Sequence, residues 1–302
     1  MRKRLSRTAP STFCETRLLA STPSDGGKVR LPICRNTQRE VIDLKKDLEV
    51  IVHEYDSDIV VYPLSDVHYG SIEHNEAGWN ALCKEILSIP NAYVILGGDL
   101  INNATKSSVS NVFDDLMRPR EQKQKMVEML SPLRDRLLCI LPGNHEKRSL
   151  KDADDEPMYD IACKLDVEDL YRPNVVFMTI KIGDSHSKYN FCITHGAGGG
   201  VYTGATVNRN ERFGNIVDGL DCLVVGHTHK GTVSRPSKLV FDGRTNTVYQ
   251  REYLVISMVS WMEYGGYAMS KMLLPSSHSN PQKLILRKAT NHDTPKHIEV
   301  VW

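Results

Sequence analysis

Five short motifs, each at the end of an apolar run, follow one another along this 302-residue chain. They are Ser65-Asp66-Val67-His68, Gly97-Gly98-Asp99, Gly143-Asn144-His145-Glu146, Thr194-His195-Gly196 and Gly226-His227-Thr228-His229. Together they supply two aspartates, one asparagine and five histidines. A site that draws so many oxygen and imidazole donors from five segments is most simply a two-metal centre. The donors suit Mn, Fe, Zn or Ni, and no thiolate is among them, which argues against a structural zinc site. Two adjacent cations are suited to hydrolysing a phosphate ester, because they generate a nucleophile and neutralise phosphate oxygens together.

Taken singly the motifs are weak signals; an Asp-x-His arises by chance roughly once in two chains of this size. Gly-Asn-His-Glu and Gly-His-x-His are far rarer, and all five in order after apolar runs have no comfortable chance explanation. Gly97, Gly98, Gly143, Gly196 and Gly226 lie beside the polar residues, where a side chain would block a sharp turn or a close approach. Glu146 could pair with a histidine and raise its pKa, or cap a following helix. Arg148, Asn102, Arg209 and Arg212 are candidates to touch a substrate phosphate, with Asn103 beside them, although exposed arginines and turn asparagines look the same. The run Gly198-Gly199-Gly200 before Asn208-Arg209-Asn210-Glu211-Arg212 reads either as a substrate lid or as an exposed loop entering a helix. His53, His74, His186, His278, His292 and His297 fall outside any motif and read as ordinary histidines.

The elements that must position these residues are legible as apolar runs. Strands are predicted over 59–64, 92–96, 137–141, 175–182, 189–194 and 222–225, and five of them run directly into a motif. Helices are predicted over 76–88, 119–133 (Pro119 in the first turn) and 156–165. Past Lys230 the pattern turns to strands only: 238–242 and 247–257 around a Gly243-Arg244-Thr245-Asn246 hairpin, then 265–274, 283–289 and 297–302. The sum is a mixed α/β chain whose strand ends carry the polar residues, which is where such sheets place ligands.

Bulk properties fit a globular protein: 40% hydrophobic, 25% charged and a net charge of +1. That charge excludes a strongly basic nucleic-acid binder by composition, and no apolar run is long enough to span a membrane. Seven cysteines, an odd number with no C-x-x-C pair, read as the usage of a reducing compartment, and so of a cytoplasmic protein. Residues 1–45 are basic, rich in Ser and Thr and poor in acids. They read as a disordered tail or an upstream start, with a transit peptide as the alternative, leaving 46–302 as the folded domain.

The motif set resembles the calcineurin-like metallophosphoesterase superfamily. The resemblance implies a four-layer αββα sandwich with two divalent metals, manganese before Fe, Zn or Ni, at the strand ends. It implies Asp66, His68 and His229 on the first metal, Asn144, His195 and His227 on the second, and Asp99 bridging them. His145 would stay off the metals as the leaving-group acid, while a metal-bridging hydroxide attacks phosphorus directly. The sequence departs from the protein Ser/Thr phosphatases of the superfamily, which follow Gly-Asp with Val-Asp-Arg-Gly; here Gly98-Asp99 continues as Leu100-Ile101-Asn102-Asn103. A phosphodiester, nucleotide-type or nucleic acid, is therefore the expected substrate. A repair-type nuclease, a phosphomonoesterase and a non-catalytic scaffold are the alternatives.

Overall fold

The computed structural model describes residues 46–106, 108, 113, 115–183, 187–276, 281–289 and 296–302. The tail expected over 1–45, with Cys14 and Cys34, lies outside the described residues, as do His186, His278 and His292.

In one sheet, strands β2 (Ile59–Leu64), β3 (Ala92–Leu96) and β4 (Leu137–Ile140) run parallel, and β12 (Lys283–Leu286) and β13 (Ile298–Val301) extend it antiparallel. Its order is β13-β12-β2-β3-β4. The other is built from β1 (Ile51–Tyr55), β5 (Val175–Ile182), β6 (Lys188–Thr194), β7 (Cys222–Val225), β8 (Thr232–Ser234) and β11 (Leu254–Ser257). Its order is β1-β5-β6-β7-β11-β8. A separate ribbon pairs β9 (Ser237–Asp242) with β10 (Thr247–Glu252).

Alternation along the strands divides the core. Val61, Ile95 and Cys139 of the first sheet meet Val176, Ile180, Phe191 and Val224 of the second between the two sheets. Their neighbours Tyr62, Val94 and Ile140 face outward onto helices. Those helices are α1 (Glu76–Ser88), α2 (Pro119–Leu130) and α4 (Pro157–Lys164), which contribute Trp79, Leu82 and Ile86, Met126 and Leu130, and Met158 and Ile161. A short α3 (Glu146–Ala153) follows the Gly143 loop. On the far side α5 (Thr203–Gly214) covers the second sheet, with Phe213 against Leu223, Tyr253 and Val255. The result is the expected αββα order of layers. Asn75 caps α1 by accepting from Gly78 N at 2.8 Å, and Pro119 opens α2 where no N–H is needed.

Three expectations are corrected. The segment expected as a strand over 265–274 holds a short helix, α6 (Gly266–Ser270). Gly266 takes a φ of +44°, and Met269 and Met272 face solvent with no strand alongside. The single strand expected over 247–257 is two strands in different sheets, broken at Tyr253, whose N–H turns to Pro236 O at 3.2 Å. The helix expected to reach Leu133 tightens at Ser131–Arg136 into a 3-10 turn, because Pro132 has no N–H to continue the α-helical ladder.

Candidate metal centre

The C-terminal ends of five strands, β2, β3 and β4 from one sheet and β6 and β7 from the other, deliver all five motifs to one place. Asp66, His68, Asp99, His227 and His229 all sit at positive φ, between 49° and 71°. That left-handed region costs a non-glycine residue roughly 1–3 kcal/mol, so the surroundings must enforce it. They do so by backbone bonds between loops: Asp66 N–H donates to Gly98 O and His68 N–H to Asp99 O, each at 3.0 Å. The turn at each residue aims its side chain back across the strand ends.

Two donor clusters result. In the first, His229 Nε2 lies 3.1 Å from Asp66 Oδ1 and 3.1 Å from His68 Nε2. In the second, Asn144 Oδ1 lies 3.0 Å from His195 Nε2 and 2.7 Å from His227 Nδ1. Asp99 Oδ2 stands between them, 3.2 Å from His195 Nε2 and 3.9 Å from His68 Nε2. The ligand atoms of Asp66, His68 and His229 all fall within 4.8 Å of one another, as do those of Asp99, His195 and His227. His145 Nε2 lies 3.9 Å from Asp99 Oδ2, and the ligand atoms of His68, Asp99 and His145 also fall within 4.8 Å of one another, a third group that overlaps the first two.

The chemistry of this donor set fits cations. Asp66 Oδ1 is buried, with the His229 imidazole nitrogen at 3.1 Å as its neighbour and no hydrogen bond of good geometry. The facing imidazole nitrogens of His68 and His229 can share at most one proton, and Asn144 Oδ1 receives two imidazoles. Several lone pairs converging with few protons between them are what a divalent ion satisfies. The remaining imidazole contacts orient the rings: His195 Nδ1 donates to Gly97 O at 2.9 Å and His145 Nδ1 to Asn102 O at 2.8 Å. Burial pushes the Asp66 carboxyl up, but His229 and His195 outweigh it and bring it down to about 2. Burial likewise opposes a charge on His195, yet Asp99 and Asp66 carry it up to about 10. Burial holds His145 below the ordinary imidazole value; Asp99 pulls the other way and Arg148 adds to the lowering.

Glu146 does neither of the things its position in the sequence suggests. Its carboxylate, 1% exposed, accepts backbone N–H bonds from Asp99 (3.0 Å), Leu100 (2.7 Å), Ile101 (3.1 Å) and Gly143 (2.8 Å). It clamps the Asp99 loop to the Asn144 loop. Burial and the Asp99 carboxylate push it up to about 7, with the N–H groups opposing. The same two loops touch backbone to backbone, since a Cβ on Gly143 would overlap the Asp99 carboxylate and one on Gly98 would overlap Gly143. Asn103, also at positive φ, donates from Nδ2 to His145 O at 2.8 Å and to Ser149 Oγ at 2.9 Å.

The centre forms the floor of a cavity of about 670 Å³. Of the predicted substrate contacts, Arg148 and Asn102 line it. Asn102 presents its carbonyl to His145 and to Arg148 Nη1 (3.4 Å), while its side-chain amide is held by Asp115 at 2.6 Å. The structure does not bring Arg209 or Arg212 to the cavity. Arg209 donates to Gly198 O and Gly199 O, both at 2.6 Å, and Arg212 is exposed on α5. Sequence reading missed Lys230, which follows the last motif, lines the cavity and donates to Gly200 O (2.5 Å) and Val201 O (2.7 Å). It also missed the carboxylates Glu73, Asp115 and Glu263 on the cavity wall. Lys230's adjacency to His229 was the available signal; nothing in the sequence marks the acids.

No curated protein sequence matches the chain. Among solved structures it is similar to a predicted phosphoesterase of Streptococcus pneumoniae, at 10% identity and a TM-score of 0.33 over 81% of this chain and 90% of that one. It is also similar to Vps29 of Chaetomium thermophilum, at 9% identity and a TM-score of 0.33 over 80% and 92%. A cold-active protein tyrosine phosphatase follows at 13% identity and a TM-score of 0.31 over 84% and 83%. The calcineurin-like phosphoesterase family model matches residues 59–231, more than half of the chain and the whole span from the first strand under the site to the residue pair after His229, and the chain belongs to that family.

Proposed function

We propose that residues 46–302 form a dinuclear metal-dependent phosphodiesterase. The observation that carries this reading is the pair of donor clusters sharing Asp99: Asp66, His68 and His229 on one side, Asn144, His195 and His227 on the other. Manganese suits this oxygen and imidazole set, as do Fe, Zn and Ni. When bound, two such cations supply Lewis acidity, activating water and neutralising phosphoryl oxygens.

The chain's own groups do the rest. Asp99 and Asp66 place negative charge where the cations would be held, and the neutral Asn144 keeps the site from repelling an anion further. His145 has its Nδ1–H held by the Asn102 carbonyl, so Nε2 is the atom free to hand a proton to a departing alkoxide. An anionic phosphate against Nε2 would favour its protonated form, against the effect of burial. Arg148 and Lys230 flank the floor and can meet phosphate oxygens.

The wall supports a diester that carries no further charge. Beyond the metal-binding side chains and the cations they would hold, Glu73, Asp115 and Glu263 outnumber Arg148 and Lys230 around the cavity. The part of a substrate that reaches past the metal positions is therefore favoured when uncharged, as the second ester group of a diester is, over a further phosphate of a polyanionic strand. The test is hydrolysis of bis-p-nitrophenyl phosphate beside p-nitrophenyl phosphate, by apoprotein reloaded in turn with Mn, Fe, Zn, Ni and Mg. Metal-dependent turnover favouring the diester is expected. Preference for the monoester would make the chain a phosphatase. No turnover with any metal would overturn the catalytic reading and leave a binding scaffold.

A further inference from the structure

Much of the cavity above the donor clusters is apolar: Val201, Met262, Tyr264, Leu273, Leu274 and Pro275 line it. All but Val201 come from one segment of the chain. Gly266, at a φ of +44°, turns that segment into α6, and Met272, at +49°, turns it back. The Leu273 N–H then closes on Ala268 O at 2.9 Å, which sets Leu273, Leu274 and Pro275 along the cavity. Val201 comes from the glycine loop after β6, where Lys230 Nζ holds its carbonyl at 2.7 Å. Val201, Leu273 and Leu274 are not core residues, being 56%, 40% and 49% exposed, and the exposed Tyr202, Met269 and Met272 adjoin this set in the sequence. Apolar side chains left open to water in a cavity of ligand size mark the place of an apolar ligand group.

We propose that this wall holds an aliphatic chain on the second ester group of the diester, so that the substrate is an amphiphile; the inference rests on the phosphodiesterase reading above. Position selects the occupant, because the same cavity holds Arg148, Lys230 and the metal-binding His68, His227 and His229. A diester whose phosphate lies against them has this lining for its second ester group. Chemistry selects an aliphatic group over a nucleoside. A nucleobase needs partners for its polar edges, and the polar side chains here are already engaged. Asn102 Nδ2 donates to Asp115 at 2.6 Å, Ser71 Oγ donates to Glu73, and Thr228 Oγ1 bonds Ser257 Oγ at 3.0 Å. Among the described residues Tyr264 is the one Phe, Tyr or Trp in the lining, too few to clamp a base between two rings. The carboxylates of Glu73, Asp115 and Glu263 repel any further phosphate. An alkyl chain needs none of these partners and gains about two- to fourfold in affinity for each methylene taken out of water.

The test uses the manganese-loaded full chain and p-nitrophenyl phosphodiesters whose other group runs from methyl to octyl, kept below micelle-forming concentrations. The kcat/KM is expected to rise about two- to fourfold per methylene over the first part of the series. Leu273→Ser is expected to lower the octyl-to-methyl ratio about three- to tenfold, and Leu274→Ser covers the case of a Leu273 variant that does not fold. A flat or falling series in which the methyl ester is turned over overturns the proposal, as does a ratio that neither variant lowers. A thymidine p-nitrophenyl phosphodiester that outruns the octyl ester overturns it too, and makes the wall a nucleoside site. Isothermal titration adds a readout without turnover, since 1-octanesulfonate is a monoanion with no ester to cleave. It is expected to bind more tightly than methanesulfonate, with a negative heat-capacity change, and equal binding of the two contradicts the proposal. Failure to hydrolyse any of the esters with any metal overturns the phosphodiesterase reading, and this substrate assignment with it.

Discussion

Replacing Glu146 by glutamine changes one atom in a fully enclosed position, and the geometry gives the expected cost. Oε1 accepts from Leu100 and Ile101, and Oε2 from Asp99 and Gly143. An amide keeps one oxygen for one of these pairs and turns an NH₂ toward the other, leaving two buried backbone N–H groups without an acceptor. Each such orphan costs about 1–3 kcal/mol, and above about pH 7, where the Glu146 carboxyl is ionised, losing the charge removes the extra strength of the remaining bonds. A total of about 2–6 kcal/mol is a large part of a typical folding free energy. For a domain of this size, at about 2–4 °C per kcal/mol, the melting temperature should fall by roughly 4–24 °C. Because the clamp holds the Asp99 loop against the Asn144 loop, the variant should also bind divalent metal more weakly. Differential scanning calorimetry of the metal-free protein, beside isothermal titration with Mn²⁺, reads both effects. A Glu146→Gln melt within about 1 °C of the parent would refute the four-bond clamp.

Four other outcomes follow from the same geometry. His145→Ala should retain its metal and lose about 10²–10⁴-fold in kcat on alkyl phosphodiesters, with a much smaller loss on p-nitrophenyl esters, whose leaving group needs no proton; steady-state kinetics on both esters decides it. Trp79, fully buried and packed edge-on against Trp261 at 5.5 Å, should cost about 3–5 kcal/mol on replacement by alanine, measured by urea unfolding. Burial holds His53 below its ordinary value while Leu138 O and Asp169 oppose. The unfolded chain thus takes up this proton first as pH falls below about 6.5, so stability should decline from pH 7 toward pH 5 and His53→Gln should flatten that decline in pH-dependent melts. Exposed Cys163 should label quickly with iodoacetamide, while Cys139 and Cys192, buried and pushed up to about 12, should label only on unfolding, as read by peptide mass mapping.

The sheets and the convergence of the polar motifs were legible for one physical reason. Strands buried on both faces must be apolar at every position, so the runs ending at Leu64, Leu96, Thr194 and Val225 stand out, and the polar residues that follow stand out against them. What stayed hidden depends on conformation or on long-range partners. Nothing in Asp66, His68 or His229 announces a positive φ, which glycine usually signals. The carboxylate of Glu146 finds three of its four donors 45 to 47 positions earlier in the chain, beyond any local pattern. Asn102 acts through its carbonyl, which every residue has. Arg209 had the right charge beside a glycine loop, and it spends that charge on the loop's own carbonyls. The segment 265–274 misled because its scattered apolar residues suit a strand, whereas Gly265 and Gly266 permit the turn that starts α6.

The most direct test of the account is an anomalous difference map from crystals of the manganese-loaded protein. The account predicts two peaks roughly 3.5–4 Å apart, separated by Asp99, one against Asp66, His68 and His229 and the other against Asn144, His195 and His227. A single peak, or two peaks that Asp99 does not join, would contradict it.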